Sequence, residues 1–269
     1  MKKYMIRCDI EGVSGVVSYE QAEPGKPEFA FGQRMFMSDL LALIDGLNAG
    51  GADEILIYDE HYYGRNIDLD ALPKNVAAIC GKPPYRADWA GGLDASFAGL
   101  ILLGFHSKSG TGELLNHSYE PDIKDLVLSG VSVGEIGIEV AVAGDCDIPL
   151  VMITADSAGV AEAEQLCPGV KGVVVKKSLS ANGGLCYSAE LTAARITETA
   201  EKIVKTPPAV KSWKLVCPKL EIIFNPGAYA SKFQQLFACG GSIAITGKTV
   251  TECWAKYWQM KLKTQVAMK

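Results

Sequence analysis

The chain has 269 residues, 48% of them apolar, and a formal net charge of -5, enough apolar content to bury a sizeable core and no sign of intrinsic disorder. A net acidic surface offers no broad basic face for a phosphate backbone, which argues against a nucleic-acid partner. No apolar run reaches the roughly eighteen residues that span a bilayer, and Arg7, Asp9 and Glu11 interrupt any signal-peptide core after Met1-Lys2-Lys3, so a cytoplasmic protein is expected.

The first strand is expected at Tyr4–Cys8, followed by a helix over Phe31–Asn48, whose Met35, Leu40, Leu43, Ile44 and Leu47 fall near helical spacing before Gly50-Gly51 stops it. Short apolar runs at Glu54–Tyr58, Leu100–Gly104, Leu150–Thr154 and Gly172–Lys176 read as strands buried on both faces. Between them, Glu135–Ala143 and Ser157–Leu166 read as helices, the second with Ser157 as N-cap. Strands alternating with helices imply an α/β fold, a mostly parallel sheet with helices on both faces. Right-handed crossovers then bring every strand's C-terminal end to one edge, where such sheets bind ligands.

Beyond about residue 180 the pattern changes. Ser188–Lys205 reads as a helix ended by Thr206-Pro207-Pro208. Strand candidates follow at Lys214–Val216 with Leu220–Phe224 and at Ser242–Thr246, and a last helix runs from Thr249 to about Lys263. The expected division is an α/β metal-binding catalytic domain over 1–180 and a smaller α+β unit over 181–269. Eight cysteines without a C-x-x-C pair read as reduced, mostly buried small hydrophobes. Tyr229, Trp254, Tyr257 and Trp258 are expected in the core or a subunit interface, and Lys176-Lys177 on a solvated face.

The chain has only three histidines. His61 and His106 each sit just past an expected parallel strand, and His117 lies eleven residues beyond His106 across a polar loop. Asp9 and Glu11 follow the first strand as an i, i+2 pair, which points both carboxylates to one side if the chain is still extended there. Carboxylates that close suit a cation between or beside them. Glu135 opens a helix after Gly134. Singly, each has an ordinary explanation as a structural hydrogen-bonder, a cap or a solvated charge. Together, imidazoles and carboxylates form the mixed N/O set that zinc favours, and two ions about 3.5–4 Å apart are a common hydrolytic arrangement.

The stretch Asp9-Ile10-Glu11-Gly12-Val13-Ser14-Gly15 resembles the N-terminal signature of the DppA-type zinc D-aminopeptidases (peptidase M55). Asp59-Glu60-His61, Gly104-Phe105-His106, Asn116-His117-Ser118 and Val133-Gly134-Glu135-Ile136-Gly137 resemble that family's further motifs, in order, from the first strand to about Lys177. The resemblance implies Asp9, Glu11, His61, His106 and Glu135 as ligands of two Zn2+ ions per chain, with Asp9 bridging, and His117 as the catalytic histidine. It also implies a short peptide or amide substrate with an N-terminal D-residue, and a ring-shaped homo-oligomer. Rival readings are a metal-dependent amidohydrolase of other specificity, for L-peptides or non-peptide amides, and a non-catalytic ring-forming metal or peptide binder. Three positions depart from the family pattern: Arg7 in place of serine, Glu60 in place of a small residue, and Glu139 in place of asparagine.

Overall fold

The computed structural model describes residues 1–269. Its elements run β1 (Lys3–Cys8), α1 (Tyr19–Ala22), α2 (Phe29–Ala49), β2 (Glu54–Asp59), β3 (Val76–Ile79), β4 (Gly99–Phe105), β5 (Ile123–Leu128), β6 (Val131–Val133), α3 (Glu135–Asp145), β7 (Leu150–Asp156), α4 (Ser157–Leu166), β8 (Lys171–Ser180), β9 (Gly183–Cys186), α5 (Ala189–Lys205), β10 (Lys219–Phe224), α6 (Ala228–Phe237), β11 (Ser242–Thr246) and α7 (Val250–Met268).

Seven strands form one sheet in the order β3-β2-β1-β4-β7-β8-β9, parallel except for the β8–β9 hairpin. Alternation along the strands divides the core in two. Tyr4, Ile6 and Cys8 face Phe36, Leu40, Ile196 and Ala200 of α2 and α5. Met5, Leu100 and Leu102 face the opposite layer, which holds α3, α4, α7 and a second, four-stranded antiparallel sheet in the order β11-β10-β5-β6. The α/β class and the smaller unit are thus as the sequence implies. Strand β5, from before residue 180, pairs with β10 from after it and carries β6 on its other side, while α5 packs along α2 of the large sheet. Both layers therefore draw chain from either side of residue 180.

Three local expectations differ. Lys214–Val216 is not a strand: Val216 is exposed, Cys217 adopts φ +49, and Pro218 lacks the N–H for a ladder bond, so pairing begins at Lys219. The N-cap of α4 is Asp156, whose carboxylate accepts from the backbone N–H groups of Ala158 and Gly159, and Ser157 is the first helical residue. Only Cys8, Cys167 and Cys253 are buried, while Cys80, just past edge strand β3, and Cys186 and Cys217 are exposed; all eight are free thiols. Trp254, Tyr257 and Trp258 of α7 and Tyr229 of α6 lie in the core. No helix is long and apolar enough to cross a membrane.

Candidate metal centre

Chain order runs outward from β1 to β2 and β3 on one side and from β4 to β7 and β8 on the other, so β1 and β4 flank the topological switch point of the large sheet. Asp9 follows β1, His61 lies just beyond β2, and His106 follows β4, so three neighbouring strands deliver their next residues to one edge. Glycines permit the close approach there. A Cβ on Gly12 would stand 1.6 Å from the Phe105 carbonyl oxygen, and one on Gly104 would stand 2.3 Å from the Asp9 carbonyl oxygen. Gly104 adopts φ +71 at a register shift between β4 and β7, a bulge that turns the chain before His106. Glu135 is the first residue of α3, where the positive end of the helix favours its charge.

His61 Nδ1 lies 2.8 Å from Asp9 Oδ1 and 3.0 Å from Glu11 Oε2. His106 Nε2 lies 3.4 Å from Asp9 Oδ2 and 3.5 Å from Glu135 Oε1, and His117 Nε2 lies 3.7 Å from the same Glu135 oxygen. The His106 and His117 rings stack at 4.1 Å between centroids. Two groups of candidate ligand atoms result, Asp9/Glu11/His61 and His106/His117/Glu135, each spanning no more than 4.8 Å. Asp9 touches both groups, one oxygen to each.

The protons on the histidines are set by their other neighbours. His61 Nε2 is 2.7 Å from the Ala22 carbonyl, His106 Nδ1 is 2.9 Å from the Ser107 carbonyl, and His117 Nδ1 is 3.0 Å from the Leu115 carbonyl. A carbonyl only accepts, so each of these nitrogens carries the hydrogen and the opposite nitrogen turns towards carboxylate oxygens. Lone pairs facing lone pairs at these distances repel unless a proton or a metal ion stands between them. Burial lowers the His61 pKa, but Glu11 and Asp9 outweigh it and hold the imidazole well above its ordinary value. His106 behaves alike, with Asp9 and Glu135 outweighing burial. Burial raises Asp9, and His106 and His61 more than reverse this, leaving it well below the usual carboxylate range. Glu11 Oε2 and His106 Nε2 are buried without a hydrogen-bond partner. Orphaned donor atoms, fixed tautomers and a mixed N/O set all fit divalent ions of the zinc type.

The surrounding shell was only partly legible in the sequence. Lys176 is fully buried rather than solvated. Its ammonium donates to the carbonyls of Glu11, Val13 and Val16, tying down the turn that carries Glu11. Ser14 in that turn bonds Asp39 of α2 through its backbone N–H and its hydroxyl, both at 2.8 Å. Asp59 accepts from the backbone N–H groups of His61 and Asn66 and shapes the loop after β2. Leu115 and Tyr119 bracket His117 with φ +54 and +60, backbone strain of the kind that collects at functional sites. Exposed Tyr19 and Tyr62 lie beside His117 and His61, with ring centroids 5.9 and 5.5 Å away. The cue missed for Lys176 was its position at the end of the apolar run of β8 that pairs in parallel with β7. The three departures from the family pattern also meet: Arg7 pairs with Glu139 and lies 4.0 Å from Glu60.

A curated relative, the D-aminopeptidase of Bacillus subtilis (strain 168), is 27% identical over 276 residues, covering 100% of this chain and 98% of the relative. The solved structure described as "Zn-dependent D-aminopeptidase DppA from Bacillus subtilis, a self-compartmentalizing protease" superposes with a TM-score of 0.89 at 24% identity, over 99% of this chain and 98% of that one. The profile of the peptidase M55 family, described as D-aminopeptidase, matches residues 1–260, and the chain belongs to that family of hydrolases.

Proposed function

We propose that this chain is a zinc-dependent aminopeptidase that removes N-terminal D-residues from short peptides or amides. In this reading Asp9, Glu11, His61, His106 and Glu135 hold two ions and His117 is the catalytic side chain. The observation that carries it is the orientation of the histidines: each spends one N–H on a backbone carbonyl and turns its free nitrogen onto buried acidic oxygens. When bound, such ions supply Lewis acidity at the scissile carbonyl and a water with a pKa near neutrality.

The chain's own groups do the positioning and the proton traffic. Asp9 holds the two groups together, and the Ala22 and Ser107 carbonyls lock the tautomers of His61 and His106. The His117 side chain keeps 20% of its surface open, against 1% for His106, and turns Nε2 to Glu135. That nitrogen is placed to exchange a proton with the attacking or departing group, to stabilise the oxyanion, or to attack directly. The D preference draws support from family membership and from the relative's name. A homo-oligomer draws support from the self-compartmentalizing relative, and a clean monomer on size-exclusion chromatography would contradict it.

The deciding experiment is hydrolysis of matched D-alanyl and L-alanyl amides by the zinc-loaded protein, with a chelated control. Chelator-sensitive cleavage of the D form is expected. Cleavage of the L form alone reassigns the enzyme to L-peptides, and zinc uptake without cleavage of either leaves an amidohydrolase of other specificity or a binder, which a panel of further amides separates.

A further inference from the structure

Arg7 is fully buried, and three separate chain segments meet its guanidinium. Nη1 donates to the Tyr85 hydroxyl at 3.1 Å and to the Glu139 carboxylate, Nη2 donates to the Ala90 carbonyl, and Glu60 lies 4.0 Å away. The loop passes this close because residue 91 is glycine, at φ +64; a Cβ there would stand 2.4 Å from Nη2. On the other side of Glu139, the Tyr119 hydroxyl donates to Oε1 at 3.0 Å. The backbone N–H of Tyr119 in turn donates to Glu135 Oε1 at 2.6 Å. That oxygen is the one facing both His106 and His117.

Tyr119 thus holds an unfavourable backbone conformation, φ +60, with its two ends tied to two glutamates one turn apart on α3. We infer that Arg7, Glu139 and Tyr119 are positioning residues for Glu135. The Arg7–Glu139 pair fixes the acceptor of the Tyr119 hydroxyl, and the tyrosine so held aims its N–H at the Glu135 oxygen that completes the His106/His117 group. A carboxylate this deeply buried needs a paired cation to stay in place, and Arg7 supplies it. The inference rests on the reading of His106, His117 and Glu135 as one half of a two-metal centre. It further states that this half, and not the Asp9/Glu11/His61 half, depends on the pair.

The test is a competitive zinc titration of the full-length protein against a chromogenic chelator, which resolves the two binding constants separately. Tyr119→Phe removes one hydroxyl and no charge. Glu139→Gln keeps an oxygen for the tyrosine while removing the partner of Arg7. Both variants are expected to weaken one zinc ion by about tenfold or more and to leave the other within about twofold. A merely structural role would lower the thermal midpoint of the metal-free protein and move both constants together, or neither. Either pattern in Tyr119→Phe overturns the inference while leaving the two-metal reading intact, and should Glu139→Gln fail to fold, Tyr119→Phe decides alone. A parent protein that takes up no zinc removes the two-metal reading and the inference with it.

Discussion

Asp9 reaches His61 with Oδ1 at 2.8 Å and His106 with Oδ2 at 3.4 Å, so one carboxylate spans the two ligand groups. Asp9→Asn replaces one of those oxygens by an N–H donor that cannot serve a cation. The variant is expected to retain at most one zinc per chain after dialysis and to lose more than about a hundredfold in kcat/KM. Two zinc ions retained with full activity would show that Asp9 does not bridge.

His117→Ala separates two roles for that residue. As a catalytic side chain, its loss leaves two zinc ions in place and lowers kcat by roughly a hundredfold or more. Elemental analysis of the purified variant decides the matter, because a fall in zinc content would make His117 a ligand beside His106 and Glu135.

Asp39 gives the fold a pH dependence of defined sign. Burial pushes its carboxyl up from 3.8 to about 6, against the opposing hydrogen bonds from Ser14. The folded protein therefore keeps this proton over a range where the unfolded chain has released it. The stability it contributes is greatest below about pH 4 and declines as pH rises through about 6, by about 3 kcal/mol in all. Urea unfolding of the parent and of Asp39→Asn should show the variant gaining on the parent across that window; a pH-independent difference would refute the assignment.

Lys176→Met strips the donor from three carbonyls of the turn that carries Glu11. The expected cost is about 3 kcal/mol, since the three buried acceptors left without a partner outweigh the relief of the ammonium's desolvation. Burial pulls the lysine pKa down to about 8, which Asp156, Cys186, Glu11 and Asp39 partly oppose. Denaturant midpoints measured on metal-free protein isolate this effect from zinc binding, and an unchanged midpoint would mean that the turn does not depend on Lys176.

Gly12→Ala tests the contact between the first turn and the end of β4. With the Phe105 carbonyl oxygen 1.6 Å from the new methyl, the backbones must separate, and a loss above about 4 kcal/mol is expected. A variant of parental thermal midpoint would show that the turn yields easily.

The alternation of apolar strands with amphipathic helices, and the placement of Asp9, His61 and His106 directly after strands, could be read along the chain because both are local. A parallel α/β sheet converts "after a strand" into "at one edge" without further information. The start of α3 at Glu135 and the bounds of α2 were legible for the same reason. Local patterning could not reveal that β5 pairs with β10, because that partner lies some ninety residues away and its register depends on the whole second layer. Nor could it reveal which carbonyl takes each histidine proton, that Lys176 turns inward onto the Glu11 turn, or that Arg7 meets Glu139. These are contacts between distant segments, and whether a buried charge is paired or abandoned is settled only when the chain has closed around it.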